Sequence, residues 1–270
     1  MYDEDRPYEV IGLPADPANR AYAWSVGIGL QSVDGLTPSP RVYELAQGHI
    51  EGKYTYQQVE DELTAQHGEA LTHDRIREAD ISATRIARLI QEPGFVCSPA
   101  TLRVYHREIF AGLIEPTWVG VWRSEHIAKR EFALGDETVA YAPPFSIADT
   151  LAYDFDREHD RTYTNLPAAS VTEQAISFIS GIWQIHPFRE GNTRTCAAFA
   201  IKYLRHLGIE VDNKPFAENA VYFRDALVLA NGPRGKQTQA PLKLFSEALL
   251  DPSVELSSLR PQSQTSGSSA

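Results

Sequence analysis

The chain has 270 residues and a formal net charge of −11. Residues 1–80 hold 15 acids against 6 bases and residues 81–270 hold 21 against 19, so the acidity belongs to the N-terminal third. At roughly 150 residues per domain the length suits two parts and a sizeable core, and an acidic chain without a basic block is a poor wrapper of nucleic acid. A small nucleotide, which needs only a local positive pocket, stays open. No apolar run nears the roughly 20 residues that span a bilayer. Met1 to Arg6 is polar and charged, unlike a secretory signal. A cytoplasmic location without a membrane is therefore expected. Cys97 and Cys196 offer neither a disulfide framework nor a four-cysteine metal site.

Residues 1–20 read as an extended lead-in with Pro7, Pro14 and Pro17. Tyr22 to Leu30 reads as a helix weakened by Gly27 and Gly29. Asp34 to Pro40 is a turn cluster. Short helices are expected over 41–48 and 55–66. A stronger one runs from Leu71 to Ile90, with Ile76, Ala79, Ala83, Ile86, Ala87 and Ile90 on one stripe. Ser98-Pro99 opens the next helix, continued by Leu102, Tyr105, Ile109 and Leu113. Residues 130–141 alternate as a hairpin does, with Gly135-Asp136 at the turn. Phe145 to Phe155 is helical. Ser170 and Glu173 form a capping box before a helix through Ile176, Ile179, Ile182 and Trp183. Another helix spans Asn192 to Leu207 and stops at Gly208. Two more cover about 215–230 and 240–250. The serine-rich tail 253–270 is expected to be disordered. The class is all-α, a helical bundle with a small β-hairpin.

One segment concentrates chemistry: His186-Pro187-Phe188-Arg189-Glu190-Gly191-Asn192-Thr193-Arg194-Thr195. His186 can take a proton near neutral pH. Glu190 offers a hard oxygen to a divalent cation such as Mg²⁺. Gly191 and Asn192 sit where the free N–H groups of a new helix face an anion. Arg194 can grip a phosphate with two hydrogen bonds. A plain polar loop between core helices is the competing reading, and the density of roles argues against it. Arg224 and Asp225 read best as a surface ion pair, and His106 as a core-edge residue.

This segment resembles the signature of Fic-domain proteins, H-x-F-x-[D/E]-G-N-x-R-x-x-R, over nine successive positions. The stretches Ile109-Phe110, Trp118 to Lys129 and Phe223 to Asn231 are also similar, so the resemblance spans roughly 98–250. It implies transfer of AMP from ATP, with Mg²⁺, to a hydroxyl of a target protein or of the chain itself. His186 would deprotonate the target and Glu190 would hold Mg²⁺. Gly191, Asn192 and Thr193 would cradle phosphates, and Arg194 would steady the pyrophosphate. The hairpin, about 129–140, would be the flap that docks the target segment, through Lys129, Phe132 and Val139. Thr193 stands where many members carry Gly, which would crowd the anion-binding turn. The second signature Arg falls on Ala197. These departures keep two alternatives open: a Fic-like binding or regulatory protein with an impaired pocket, and an enzyme using another nucleotide donor. A homo-oligomer is left open.

Residues 22–66 resemble the small antitoxin partners of some Fic toxins. The shared feature is Asp34-Gly35-Leu36-Thr37-Pro38-Ser39-Pro40 and the two helices after it. Asp34 falls where the inhibitory Glu belongs, and Leu30 where its Ser or Thr belongs. Because Asp34 is short and Ala197 uncharged, the expectation is a module that docks without that ion-pair clamp. The implied division is an antitoxin-like region at 1–70, a Fic domain at 71–252 and a tail at 253–270.

Overall fold

The computed structural model describes residues 16–68 and 74–260. The lead-in before Asp16, the start of the helix expected from Leu71, and residues 261–270 of the tail lie outside them. Eleven α-helices account for the described fold. They are α1 (Pro17–Gly29), α2 (Pro40–Ile50), α3 (Tyr56–His67), α4 (Arg75–Gln91), α5 (Pro99–Phe110) and α6 (Ile147–His159). Next come α7 (Ala168–Ile185), α8 (Asn192–His206), α9 (Lys214–Glu218), α10 (Ala220–Ala230) and α11 (Ala240–Ala248).

The hub is α8. Every residue from Asn192 to Leu204 is buried, because α4, α5 and α7 pack around it. A helix enclosed on all sides must be mostly apolar or small, which explains Cys196, Ala197, Ala198, Phe199, Ala200 and Ile201. The polar residues of its first turn belong to the site, and Lys202 near its other end donates to the Glu92 carbonyl.

The N-terminal helices share this core. α1 lies along α4 and also touches α2 and α9. Trp24, Leu30 and Val42 join one apolar cluster with Phe199 and Phe245. Gly27 and Gly29 do not merely weaken α1. A Cβ at Gly27 would stand 2.4 Å from the Ala83 carbonyl oxygen, and one at Gly29 would stand 2.0 Å from that of Ala217. Only glycine allows so close an approach. A 3₁₀ turn, Leu30–Asp34, then carries the chain beneath α8 and α10. The following turn is tied down by buried Asp80 of α4, whose carboxylate accepts from the Ser39 N–H and Oγ–H, both at 2.7 Å.

Several local readings change. Ile76 is 54% exposed, so the stripe of α4 begins at Ala79. No capping box opens α7; Pro167 precedes Ala168, and no side chain caps the end. Asn219 splits the segment expected at 215–230 into α9 and α10. In place of the hairpin, residues 130–141 hold a single bridge between Glu131 and Glu137 around a 3₁₀ turn, Phe132–Leu134. The Asp136 N–H turns back to the Glu131 carbonyl at 3.1 Å. Backbone groups are thus spent inside the loop instead of across a ladder.

Candidate active site

The loop 186–191 joins the C-terminus of α7 to the N-terminus of α8 at the floor of a cleft of about 600 Å³. Both ends are sharp turns. His186 has φ +53 and Gly191 φ +74, both left-handed. Gly191 is constrained twice, since a Cβ there would also lie 2.3 Å from the Phe110 ring. His186, Glu190, Gly191, Asn192 and Thr193 line the cleft, with Lys129, Trp183, Arg224 and Asp34 around them.

His186 is half-buried, its ring 4.2 Å from that of Tyr141 and 5.3 Å from that of Trp183. Its Nδ1 lies 3.2 Å from the Trp183 carbonyl oxygen. A carbonyl only accepts, so Nδ1 carries the proton and Nε2 is the basic nitrogen. Burial pushes the imidazole pKa down to about 3; the Trp183 hydrogen bond opposes this, and the positive Lys129, Arg123 and Arg224 add to it.

At the other end of the loop, His106 on α5 is fully buried and stacked on Phe188 at 3.9 Å. Its Nδ1 accepts from the Gly120 N–H at 2.9 Å. Its Nε2–H therefore donates to the Glu190 carbonyl at 3.0 Å. His106 is a tether under the loop, beyond the core-edge role read from the sequence. Arg123 is a second one, donating to the carbonyls of Ile185 and His186 at 3.2 and 2.7 Å.

The sequence-derived binding residues separate into two groups. Glu190 is exposed at the cleft, and the amides of 192–194 precede the first intrahelical bond, Thr195 N–H to the Gly191 carbonyl at 3.0 Å. Glu190, Gly191, Asn192 and Thr193 line the cleft at a helix N-terminus, whose first N–H groups have no intrahelical acceptor. The side chains of Asn192, Thr193 and Arg194 turn inward. The Asn192 amide clasps the Phe188 backbone, accepting at 2.9 Å and donating at 2.8 Å. Thr193 Oγ1 accepts from the Trp183 indole at 2.9 Å. Its hydroxyl is used to brace α7.

Arg194 is completely buried. Its Nη2 donates to Glu78 of α4 at 2.6 Å, and its Nε lies 3.0 Å from Asp34 Oδ2. Gln31 and Ser82 accept from Nη1 at 3.2 and 3.3 Å, and the guanidinium stands 4.6 Å over Phe110. Asp34 thus forms an ion pair after all. Its partner is the first signature arginine, because Arg194 lies in the first turn of α8 beside Asp34, whereas Ala197 is fully buried in the core.

In the flap region, Lys129 lines the cleft and Phe132 is 58% exposed, but Val139 is 2% exposed and belongs to the core, so it has no surface to offer a target. Arg224 and Asp225 are also buried, correcting the surface pair. Arg224 is ion-paired with Glu131, and Asp225 accepts from Arg260 at 2.8 Å. Sequence reasoning missed Glu78, which lies on α4 far along the chain from the signature, and it gave Arg123 no role of its own.

Buried neutral imidazoles make stability depend on pH. His49 and His106 are each pushed down to about 4, and His186 to about 3, with burial the largest cause. The unfolded chain takes up these protons near pH 6.5, before the native state does. Stability is therefore full above about pH 6.5 and is lost as pH falls toward 4, by at most about 1.4 kcal/mol per pH unit for each imidazole. Urea unfolding at pH 7.5, 6.0 and 5.0 should show a falling midpoint; equal midpoints would contradict this reading.

Residues 96–204 match the Fic/DOC family model. The chain carries a Fic/DOC domain. No curated protein matches the chain in sequence. Two solved Fic-fold structures resemble it. One is the BepC protein of Bartonella tribocorum, a VirB-translocated effector solved with bound AMPPNP, at 19% identity and a TM-score of 0.51 over 64% of this chain and 84% of that one. The other is the N-terminal Fic domain of a VirB-translocated Bep effector from Bartonella quintana, at 21% identity and 0.50 over 63% and 80%. At these identities the likeness concerns the fold. No helix among the described residues is long and apolar enough to cross a membrane.

Proposed function

We propose that this Fic/DOC chain transfers AMP from ATP to a hydroxyl of a target protein, itself included, and that its N-terminal helices restrain the reaction. The supporting observation is the cleft that joins the unprotonated Nε2 of His186 to the helix N-terminus at Gly191. The target oxygen attacks the α-phosphorus and gives its proton to Nε2. The P–O bond to pyrophosphate breaks, and pyrophosphate leaves. The backbone amides at 192–194 receive the negative charge spread over the phosphate oxygens. Asn192 and Thr193 act through the loop geometry that they fix.

A divalent cation fits this donor set. Among the described residues no cluster of three or more His, Cys, Asp or Glu is placed to hold a metal. Mg²⁺ commonly takes one or two carboxylates and completes its shell with phosphates and water. Glu190, exposed beside Gly191, would hold it, and it would supply charge neutralisation on the phosphates. The bound AMPPNP of the Bartonella tribocorum relative agrees with a nucleotide in this fold. Enclosure of Arg194 by Asp34 and Glu78 supports the restraint, since that guanidinium cannot meet pyrophosphate while it faces α4.

Incubation with ATP and Mg²⁺ followed by intact mass spectrometry tests the reading. A gain of one AMP on the chain or on an added target supports it. No gain with any nucleoside triphosphate overturns it, and a gain from another donor would reassign the nucleotide.

A further inference from the structure

Arg123 lies outside the signature segment. It is 5% exposed. It has no carboxylate within ion-pair distance among the described residues, an uncommon position for a buried guanidinium. Its donors go instead to four backbone carbonyls. Nε reaches His186 at 2.7 Å, Nη1 reaches Glu125 at 2.7 Å, and Nη2 reaches Ala142 at 2.5 Å and Ile185 at 3.2 Å. Its own N–H donates to the Pro187 carbonyl at 2.9 Å. One side chain thus joins the end of α7, the first residues of the signature loop, the 123–125 segment and the stretch before α6.

The site of attachment matters. The carbonyls of Ile185 and His186 end a helix, where partial negative charge gathers and orphan acceptors need donors. His186 holds a left-handed conformation that a non-glycine residue adopts only at a cost. That conformation aims the imidazole back at the Trp183 carbonyl and leaves Nε2 free. A planar fork with five donors can hold several carbonyls at once, whereas an ammonium is a point charge.

We propose that Arg123 is the positioning residue for His186, holding the strained turn that presents Nε2 to the reacting hydroxyl. The proposal rests on His186 as the base, so its test includes a reading that does not need turnover. Nitrogen NMR of the His186 ring should show the Nδ1–H tautomer in the full-length protein and a mixture of tautomers in Arg123→Gln. With ATP and Mg²⁺, Arg123→Gln should lower kcat about 100-fold, the scale of a misaligned base, while the nucleotide KM stays within a few-fold. Arg123→Lys keeps the charge but not the fork, and should recover less than a tenth of the lost rate. His106→Gln is the comparison, because it loosens the Glu190 end of the same loop. It should raise the nucleotide KM and leave the His186 tautomer intact. If Arg123→Gln and His106→Gln change kcat, KM and the tautomer alike, Arg123 is a general brace and the proposal fails. It also fails if Arg123→Lys has full activity. If Arg123→Gln does not fold by circular dichroism, the Lys variant carries the same NMR and kinetic tests. A tautomer shift in Arg123→Gln would stand even if the wild-type chain transferred no nucleotide, which separates this proposal from the reaction assigned above.

Discussion

Replacing His186 by Ala is expected to lower AMP transfer by about 10²–10⁴-fold, the usual worth of a positioned general base. The nucleotide should still bind, because the amides at 192–194 and Glu190 do not depend on the imidazole. The fold should also survive, since the ring is half-buried at the rim of a cleft and its one internal hydrogen bond goes to Trp183. In the nucleotide-free site burial holds the pKa down to about 3, and Lys129, Arg123 and Arg224 add to the depression by opposing a further positive charge. Phosphate groups entering the cleft reverse that field and raise the pKa, which improves the base when substrate is present. The acid limb of kcat should therefore lie above pH 3, and the limb should vanish in His186→Ala along with the rate. A variant retaining more than a tenth of wild-type activity would remove His186 from the reaction.

The helices and the signature loop were legible because their signals are local. Ser98-Pro99 does open α5, with Ser98 Oγ accepting from the Thr101 N–H at 3.1 Å. The 34–40 turn and its two helices follow from their proline and glycine punctuation. The flap failed as a hairpin for the converse reason. Alternation in 130–141 reflects Leu134 and Val139 entering the core and Glu131 meeting Arg224, none of which needs a ladder. Asn192 and Arg194 were read as ligands from residue type, but type does not say which way a side chain faces on a helix buried on all sides. The partner of Asp34 was missed because the alignment placed charge against Ala197, three residues along α8. Only the folded register shows that Arg194 is the guanidinium within reach.

Substitution of Asp34 by Asn is expected to release that restraint and raise AMP transfer about tenfold, equivalent to about 1.4 kcal/mol. Of the two carboxylates on Arg194, Asp34 lines the cleft and its side chain is 29% exposed, whereas Glu78 is 14% exposed. Asp34 therefore stands between the guanidinium and an incoming phosphate, and its charge repels the same anion that Arg194 would attract. Asn keeps the shape and removes both effects. The gain should appear chiefly as a lower nucleotide KM, and salt should diminish it, as it does for charge contacts open to solvent. Glu78→Gln alone should do less for activity and more harm to stability, since losing one partner of a buried ion pair costs about 3–5 kcal/mol. Removing the whole N-terminal region would be a poorer test, because Trp24 and Leu30 belong to the common core and their loss would expose α4. If Asp34→Asn instead leaves KM unchanged and only lowers the melting temperature, Arg194 is a strut that fastens the N-terminal helices to α8. The phosphates would then be held by the loop amides and Glu190 without it.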